Sequence, residues 1–139
     1  MGPNVNTVSF QLASEKKPIP LVEAHVNHQG PFTFAIDTGA TITVLSPELA
    51  RQLGLHSAEE ERRDKGVGAG GEFKVSLIAL ESLSIGTVEL KNISAAIMDL
   101  GAIKQAIEKL DGVIGYNFLS KFRVTIDYQE QTIRFDPYS

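Results

Sequence analysis

The sequence predicts a mostly β, barrel-like fold with two or three short helices. β-branched and aromatic residues alternate with polar ones over short windows, and Gly, Pro and Asn separate these windows. At 139 residues, 42% of them hydrophobic, the chain is long enough for one sizeable core and too short for two ordinary ones. We therefore expect a single domain over residues 1–139, with 1–6, which include Gly2-Pro3, as a disordered or vector-derived leader.

The first half of the chain reads as strands followed by one helix. Period-two alternation predicts the strands, and Ser46-Pro47 gives a hydroxyl cap followed by proline at the first helical position. In chain order, the predicted elements are a strand with Val8, Phe10 and Leu12 on one face, a hairpin of Leu21–Val26 and Phe32–Ile36 around the turn 27–31, a strand over Thr41–Leu45, and a helix from Pro47 that Gly54 ends.

The second half contains hairpins and two short helical patterns. The glycine-rich segment 66–71 precedes a strand and predicts a hairpin tip, and Gly86-Thr87 predicts a two-residue hairpin turn. Further along, the predicted elements are a strand over Ile93–Met98, an amphipathic helix over Ala102–Leu110, a brief strand over Val113–Gly115, a helical stretch with Tyr116, Leu119 and Phe122 on one side, and a last hairpin of Phe122–Tyr128 with Thr132–Phe135.

Composition argues against several classes of function. A net charge of -4 and the lack of a basic stripe argue against a nucleic-acid partner. The chain has no Cys, and its three His residues do not form a zinc set, so we expect neither a metal nor a cofactor. No apolar run reaches the length of a membrane helix, and the start is unlike a signal peptide. These features predict a soluble domain and leave its compartment open.

Asp37 is the candidate catalytic residue. It follows the apolar residues of Phe34–Ile36 and precedes Thr38-Gly39-Ala40 and a further strand, so we expect an acid buried in an apolar setting. The alternative is an ordinary turn, in which Asp and Thr bond to the local backbone and Gly supplies a positive φ.

With these residues the sequence resembles the retropepsin-like aspartic peptidases, the retroviral enzymes and their cellular and bacterial relatives. The resemblance covers roughly Leu21 to Phe135. It rests on three features in the right order: Ile36-Asp37-Thr38-Gly39-Ala40, the glycine-rich segment 66–71, and Val113-Ile114-Gly115-Tyr116-Asn117-Phe118-Leu119. The family implies a closed retropepsin-like (acid protease) barrel of six to seven strands.

The resemblance also implies the site. Asp37 would face the Asp37 of a second copy in a homodimer, or the aspartate of a second domain missing from this chain, and the pair would share a proton and activate water for hydrolysis of a peptide or protein substrate. Thr38, Gly39 and Ala40 would support the active loop, and Ile114 and Gly115 would pack behind it. The residues implied for the flap are Gly66, Val67, Gly68, Ala69, Gly70 and Gly71; a plain surface loop is the alternative for them.

Two points in this resemblance are specific to the chain. Pepsin-like enzymes carry Ser where this chain has Ala40, and an alanine cannot bond to the ionised carboxylate, which predicts a pH optimum less acidic than pepsin's. Tyr116 replaces the polar residue that the viral enzymes carry after this glycine, so their contacts at that place are in question. A competing hypothesis is an inactive peptide-binding or dimerisation module with the same fold. An unrelated β-barrel binding protein is a further alternative.

Overall fold

The computed structural model describes residues 6–56, 64–68, 71–101, 103, 107 and 109–138, with the backbone alone described at 64–68 and 71–74. The predicted mostly β architecture is confirmed. The strands are β1 (Thr7–Ser9), β2 (Gln11–Leu12), β3 (Pro20–Val26), β4 (Gln29–Ile36), β5 (Thr43–Leu45), β6 (Asp64–Gly68), β7 (Gly71–Ile85), β8 (Val88–Ile97), β9 (Gly112–Ile114), β10 (Phe122–Asp127) and β11 (Thr132–Pro137), and the helices are α1 (Pro47–Gln52) and α2 (Tyr116–Leu119).

Six of the described strands form a closed barrel, in the order β3, β4, β9, β5, β8 and β7. Pairing of β7 with β3, at His25↔Ser84 and Val26↔Leu83, closes the ring. The short strand β9 lies between β4 and β5, parallel to β4 and antiparallel to β5. Two strands that follow each other in the chain are thereby separated by a segment from near the end of it.

The first barrel hairpin turns more tightly than predicted. β3 and β4 are joined by Asn27 and His28 alone, with φ of 50° and 68°, so the expected turn over 27–31 was too long and Gly30-Pro31 lies inside β4. The Asn27 side chain accepts a hydrogen bond from the amide of Ser82 at 3.1 Å, and the Asn27 amide donates to the Ser82 carbonyl at 2.9 Å. These contacts with β7 explain why a left-handed turn is stable here.

Two long strands replace the shorter ones expected after the glycine-rich segment. β7 is continuous for 15 residues and β8 for 10, joined as predicted at Gly86-Thr87. Asn92, with φ of 55°, interrupts the pairing between Leu80↔Ile93 and Ser82↔Lys91 without ending β8. The strand predicted from Ile93 is therefore part of β8, and Asn92 is a local irregularity within it.

The terminal strands form a second, three-stranded sheet in the order β1, β11, β10. β1 pairs with β11 within the subunit at Thr7↔Arg134, Val8↔Ile133 and Ser9↔Thr132. Phe10, 3% exposed, then carries the chain from this sheet into β2, which pairs with β3 of the barrel. Both ends of the chain that the structure describes are thus held by pairing inside one subunit.

The helices begin as the sequence indicates. Ser46 accepts a hydrogen bond from the Leu49 amide at 3.1 Å, Pro47 occupies the first turn of α1, and Gly54 follows the helix with φ of 68°. α2 is only four residues long. Most of the helix predicted over Ala102–Leu110 lies outside the described residues.

Aromatic residues from α2, β10 and β11 meet in the main core. The rings of Phe118 and Phe135 lie 6.1 Å apart, edge to face, and each lies within 5.8 Å of the Phe122 ring. Phe118 and Phe135 are fully buried. This cluster fixes α2, which follows the β9 segment, to the terminal sheet.

Phe135→Ala should lower the free energy of unfolding by about 3–5 kcal/mol, because it removes a fully buried ring from a packed cluster. Phe135→Leu should cost clearly less, since most of the volume is kept. Urea denaturation with an unchanged slope measures both effects. A loss below about 1 kcal/mol in the alanine variant would show that the cluster is not packed as described.

Candidate active site

Asp37 directly follows the last residue of the barrel strand β4. Phe34, Ala35 and Ile36 are buried, whereas Asp37 itself is exposed in the single subunit. The expectation of a buried acid was therefore wrong for the isolated chain. The apolar residues before Asp37 belong to the barrel wall, and the acid lies one residue beyond the end of that wall.

The loop after β4 bonds to the carboxylate from one side. The Gly39 amide donates to Oδ1 of Asp37 at 2.9 Å, and the Ala40 amide donates to the Asp37 carbonyl at 3.1 Å. A Cβ at residue 39 would lie 3.3 Å from Oδ1, so glycine allows this close approach. Among the described residues nothing bonds to Oδ2, which leaves one carboxylate oxygen available to another group.

The strand β9 and the residues after it hold the loop from behind. The Asp37 amide donates to the Ile114 carbonyl at 3.1 Å, and the Tyr116 amide donates to the Ala40 carbonyl at 2.7 Å. At residue 115 a Cβ would lie 2.6 Å from the Ile42 carbonyl group and 3.0 Å from the Ala40 oxygen. Only glycine lets the two segments approach this closely, and the structure thus places Ile114 and Gly115 directly against the loop.

A polar network that the sequence analysis missed fixes the far end of the loop. Oδ1 of Asn117 accepts bonds from the amide and the hydroxyl of Thr43, at 2.8 and 2.9 Å, and the Asn117 amide group donates to the Ser94 carbonyl at 2.7 Å. The Thr43 hydroxyl accepts from the Gly115 amide at 3.1 Å. The signal for this network was an asparagine inside the apolar run 113–119.

The backbone contact between Tyr116 and Ala40 explains why β5 is shorter than predicted. The strand expected over Thr41–Leu45 begins only at Thr43, because the carbonyl of Ala40 is bonded to the Tyr116 amide instead of a strand neighbour. Thr41 is exposed and Ile42 is half-buried. The segment 37–42 is therefore a loop held at both ends.

The remaining predicted site residues lie in two places. Thr38 is exposed beside Asp37. In the glycine-rich segment, β6 and β7 pair antiparallel at Gly66↔Phe73, Val67↔Glu72 and Gly68↔Gly71, so the backbone forms the two arms of a hairpin. Ala69 and Gly70, the other two residues expected in the flap, lie outside the described residues.

A cavity of about 230 Å³ opens beside Asp37. Its lining is almost entirely apolar, apart from Asp37 itself: Pro18, Ile19, Pro20, Ala35, Ile36, Ile103 and Val113. No sequence pattern indicated a role for the segment Pro18–Pro20, in which the two prolines separate β2 from the rest of β3. Larger hollows of about 500 Å³ lie elsewhere on the surface, lined by other residues.

Within the described residues, no three His, Cys, Asp or Glu side chains are grouped so that they could hold a metal ion. In the same part of the chain, no helix is long and apolar enough to cross a membrane.

Comparison with solved structures finds the same fold. The crystal structure of a retropepsin-like aspartic protease from Rickettsia conorii has a TM-score of 0.64 at 23% identity, over 93% of this chain and 87% of that one. The retroviral protease-like domain of Ddi1 from Leishmania major has a TM-score of 0.54 at 15% identity, over 84% of this chain and 86% of that one. The predicted retropepsin-like barrel is confirmed, and at these identities the likeness concerns the fold alone.

Sequence comparison gives the family. A comparison with curated protein sequences finds no match. A family model described as "Aspartyl protease" matches residues 22–118, which run from β3 into α2 and include the active loop and the segment behind it. Since this match covers well over half of the chain, the protein belongs to the aspartyl protease family.

Proposed function

We propose that the chain is an aspartic endopeptidase that hydrolyses peptide bonds with a water molecule activated between two Asp37 carboxylates of a homodimer. The observation that carries this proposal is the position of Asp37, an exposed acid on a loop that backbone hydrogen bonds hold on both sides. A second aspartate-bearing domain in place of the second copy would serve the same chemistry.

A single carboxylate is not enough for the reaction. Two carboxylates in contact cannot both be ionised at low cost, so they hold one proton between them. The ionised member takes a proton from water, whose oxygen bonds to the carbonyl carbon, while the protonated member gives its proton to the carbonyl oxygen. When the C–N bond of the resulting tetrahedral intermediate breaks, the nitrogen keeps the bonding electrons and takes the proton of the protonated carboxyl, while one hydroxyl of the intermediate gives its proton to the other carboxylate, so that the dyad again holds one proton. No cofactor takes part in this scheme.

The loop geometry suits this role. The bond from the Gly39 amide fixes Oδ1, which leaves Oδ2 of each subunit to meet the water and the partner carboxylate. Thr38, next to Asp37 and exposed, would bond across the two-fold axis to the partner's loop. Positioning of this kind lowers the barrier because the reacting groups are already oriented.

The surroundings of Asp37 suit an extended peptide with apolar side chains. The cavity beside Asp37 is lined by aliphatic and proline residues, including Ile19, Ile103 and Val113, and would take an apolar side chain next to the scissile bond. The hairpin of β6 and β7 would close over the substrate as a flap and exclude water, and the described glycines Gly66, Gly68 and Gly71 would ease that movement because they lack side chains. The competing function is a module that binds peptides in this cleft without cleaving them.

Asp37→Asn should abolish hydrolysis of an unfolded protein, with a fall in kcat/KM of at least about 10³-fold, because the amide can neither accept the proton from water nor share one with its partner. Mass spectrometry of the products and a fluorogenic peptide assay measure this.

The matched control is Asp127→Asn. Asp127 is also exposed, and its Oδ1 also accepts a backbone amide, that of Glu130 at 2.9 Å, but it lies on the hairpin between β10 and β11. This variant should keep full activity. If Asp37→Asn cleaves as fast as the unmodified protein, the proposed mechanism is wrong; peptide binding without cleavage by the unmodified protein would favour the non-catalytic module.

Ala40→Ser should shift the acidic limb of the pH-rate profile to lower pH by up to about one unit, because a hydroxyl near the ionised carboxylate would donate a hydrogen bond to it and favour the charged form. The unmodified protein should have its optimum well above that of pepsin. The measurement is the profile of kcat/KM between pH 2 and pH 8. A maximum near pH 2 for the unmodified protein, or a shift to higher pH in the variant, would contradict the role given to residue 40.

A further inference from the structure

A hollow of about 500 Å³ lies between the active loop (residues 37–42) and β8. Residues from three segments line it: Thr41 and Ile42 of the loop, the consecutive residues 90–94 of β8, and Asn117 and Lys121. β5 pairs with β8 only from Thr43↔Ala95 onward. The two segments therefore separate before that point and leave the hollow between them.

The edge of β8 at this hollow has no neighbouring strand among the described residues. On one side β8 pairs with β7 from Val88 to Ile97, whereas on the other side its pairing with β5 begins only at Ala95. Asn92, with φ of 55°, breaks the regular alternation of β8, and Lys91 and Asn92 are both exposed although they are consecutive. An open strand edge of this kind can accept the backbone of an extended peptide.

Two lysines give the hollow its charge. Lys91 and Lys121 both line it, and no Asp or Glu does. In the part of the chain that the structure describes, neither lysine forms an ion pair. Glu89, two residues before Lys91, lies 3.6 Å from Nδ1 of His28 instead. In a chain of net charge -4, a hollow with two unpaired ammonium groups and no carboxylate favours an anionic ligand.

The other hollow of about 500 Å³ has different chemistry. Its lining includes the carboxylate of Glu23 and the imidazole of His25, and it contains neither Lys nor Arg. The cavity beside Asp37 has that carboxylate as its one charged group. Of these three concave surfaces, only the one beside β8 therefore suits an anion.

We propose that this hollow, which we call the lysine hollow, binds an acidic stretch of the polypeptide substrate that lies extended along the free edge of β8. The carboxylates would pair with the ammonium groups of Lys91 and Lys121. The proposal rests on the proposed function, since it concerns a peptide that is also held at Asp37. It adds a second point of recognition to the apolar cavity beside that residue.

The lysine hollow is within reach of a peptide bound at Asp37. Thr41 follows Asp37 by four residues, and an extended chain spans at most about 3.6 Å per residue, so the two backbones lie no more than about 14 Å apart. An extended peptide covers this distance in about four or five residues. In a homodimer each subunit carries one hollow, so acids on either side of the scissile bond should be recognised.

Binding can be measured apart from cleavage in the Asp37→Asn variant. The probes are two fluorescein-labelled peptides with the same apolar centre, followed after a spacer by four Glu in one peptide and four Gln in the other. Fluorescence anisotropy at about 50 mM NaCl should show that the Glu peptide binds at least about 5-fold more tightly. The difference should shrink at about 500 mM NaCl, because salt screens exposed charges.

Lys91→Gln combined with Lys121→Gln should remove the preference, because it weakens binding of the Glu peptide by about 5- to 10-fold, as expected for two partly exposed ion pairs. The matched control is Arg51→Gln combined with Lys109→Gln. It removes the same charge from exposed residues that line none of the three concave surfaces, and it should keep the preference. Lys91→Glu combined with Lys121→Glu should instead prefer a peptide with four Lys.

Two results overturn the proposal directly. One is the absence of any preference for the Glu peptide in the Asp37→Asn parent, and the other is a preference that survives in the Lys91→Gln, Lys121→Gln variant. Titration calorimetry with inorganic phosphate tests for a free anion. Phosphate binding that depends on the two lysines, together with peptide binding that does not, would make the hollow a site for free anions and would also overturn the proposal.

Cleavage separates this proposal from the proposed function. With Asp37 present, the Lys91→Gln, Lys121→Gln variant should act on KM for a fluorogenic Glu peptide, raising it by about 5- to 10-fold, and not on kcat. Lysine-dependent binding without any cleavage would contradict the proposed function and leave the lysine hollow standing. Asp37-dependent cleavage that is indifferent to distant acids would contradict the lysine hollow and leave the function standing.

Discussion

The passage of β9 between β4 and β5 is the constraint on which the site depends. It separates two strands that are neighbours in the chain and forces the segment 37–42 to cross over it as a loop. Backbone hydrogen bonds from Asp37 to Ile114 and from Tyr116 to Ala40 then fix both ends of that crossing. An acid on an ordinary surface loop would sample many positions, whereas this one starts from a backbone that the barrel itself holds in place.

Glycine makes the crossing possible at two points. At Gly112 a side chain would clash with the ring of Phe34 and with the Val44 carbonyl, and at Gly115 it would meet the Ile42 carbonyl group. The Thr43 and Asn117 network adds polar contacts that satisfy groups buried by the close approach. Packing of Phe118 on Phe122 and Phe135 then ties the crossing segment to the terminal sheet. Hydrogen bonds and packing therefore connect the loop to the barrel and, through Phe118, to the terminal sheet.

The sequence predicted what local patterns determine. Alternation identified most strands, Ser46-Pro47 marked the start of α1, and Gly86-Thr87 marked a hairpin. It could not show that the stretch around Gly71–Ile85 is one strand, since that depends on partners on both sides. It also misjudged Asp37. An acid after a buried strand suggests the interior, and only the end of β4 at Ile36 places it outside. The pocket beside Asp37 joins Pro18, Ile103 and Val113 from distant segments, so no local pattern could indicate it.

The exposed Asp37 and the terminal sheet, which is complete within one subunit, both bear on how the proposed activity would depend on association of two subunits. β1, β10 and β11 complete their sheet inside one subunit, so the pairing of these strands does not require a partner. Under the proposed function a second copy would then be needed for the second carboxylate and not for the pairing of the terminal strands. A peptide that contacts both subunits binds the dimer and not the monomer, so by mass action it would draw subunits together. Activity would follow the concentration of subunit and of substrate jointly, and the monomer, with one unpaired carboxylate, would remain folded and inactive.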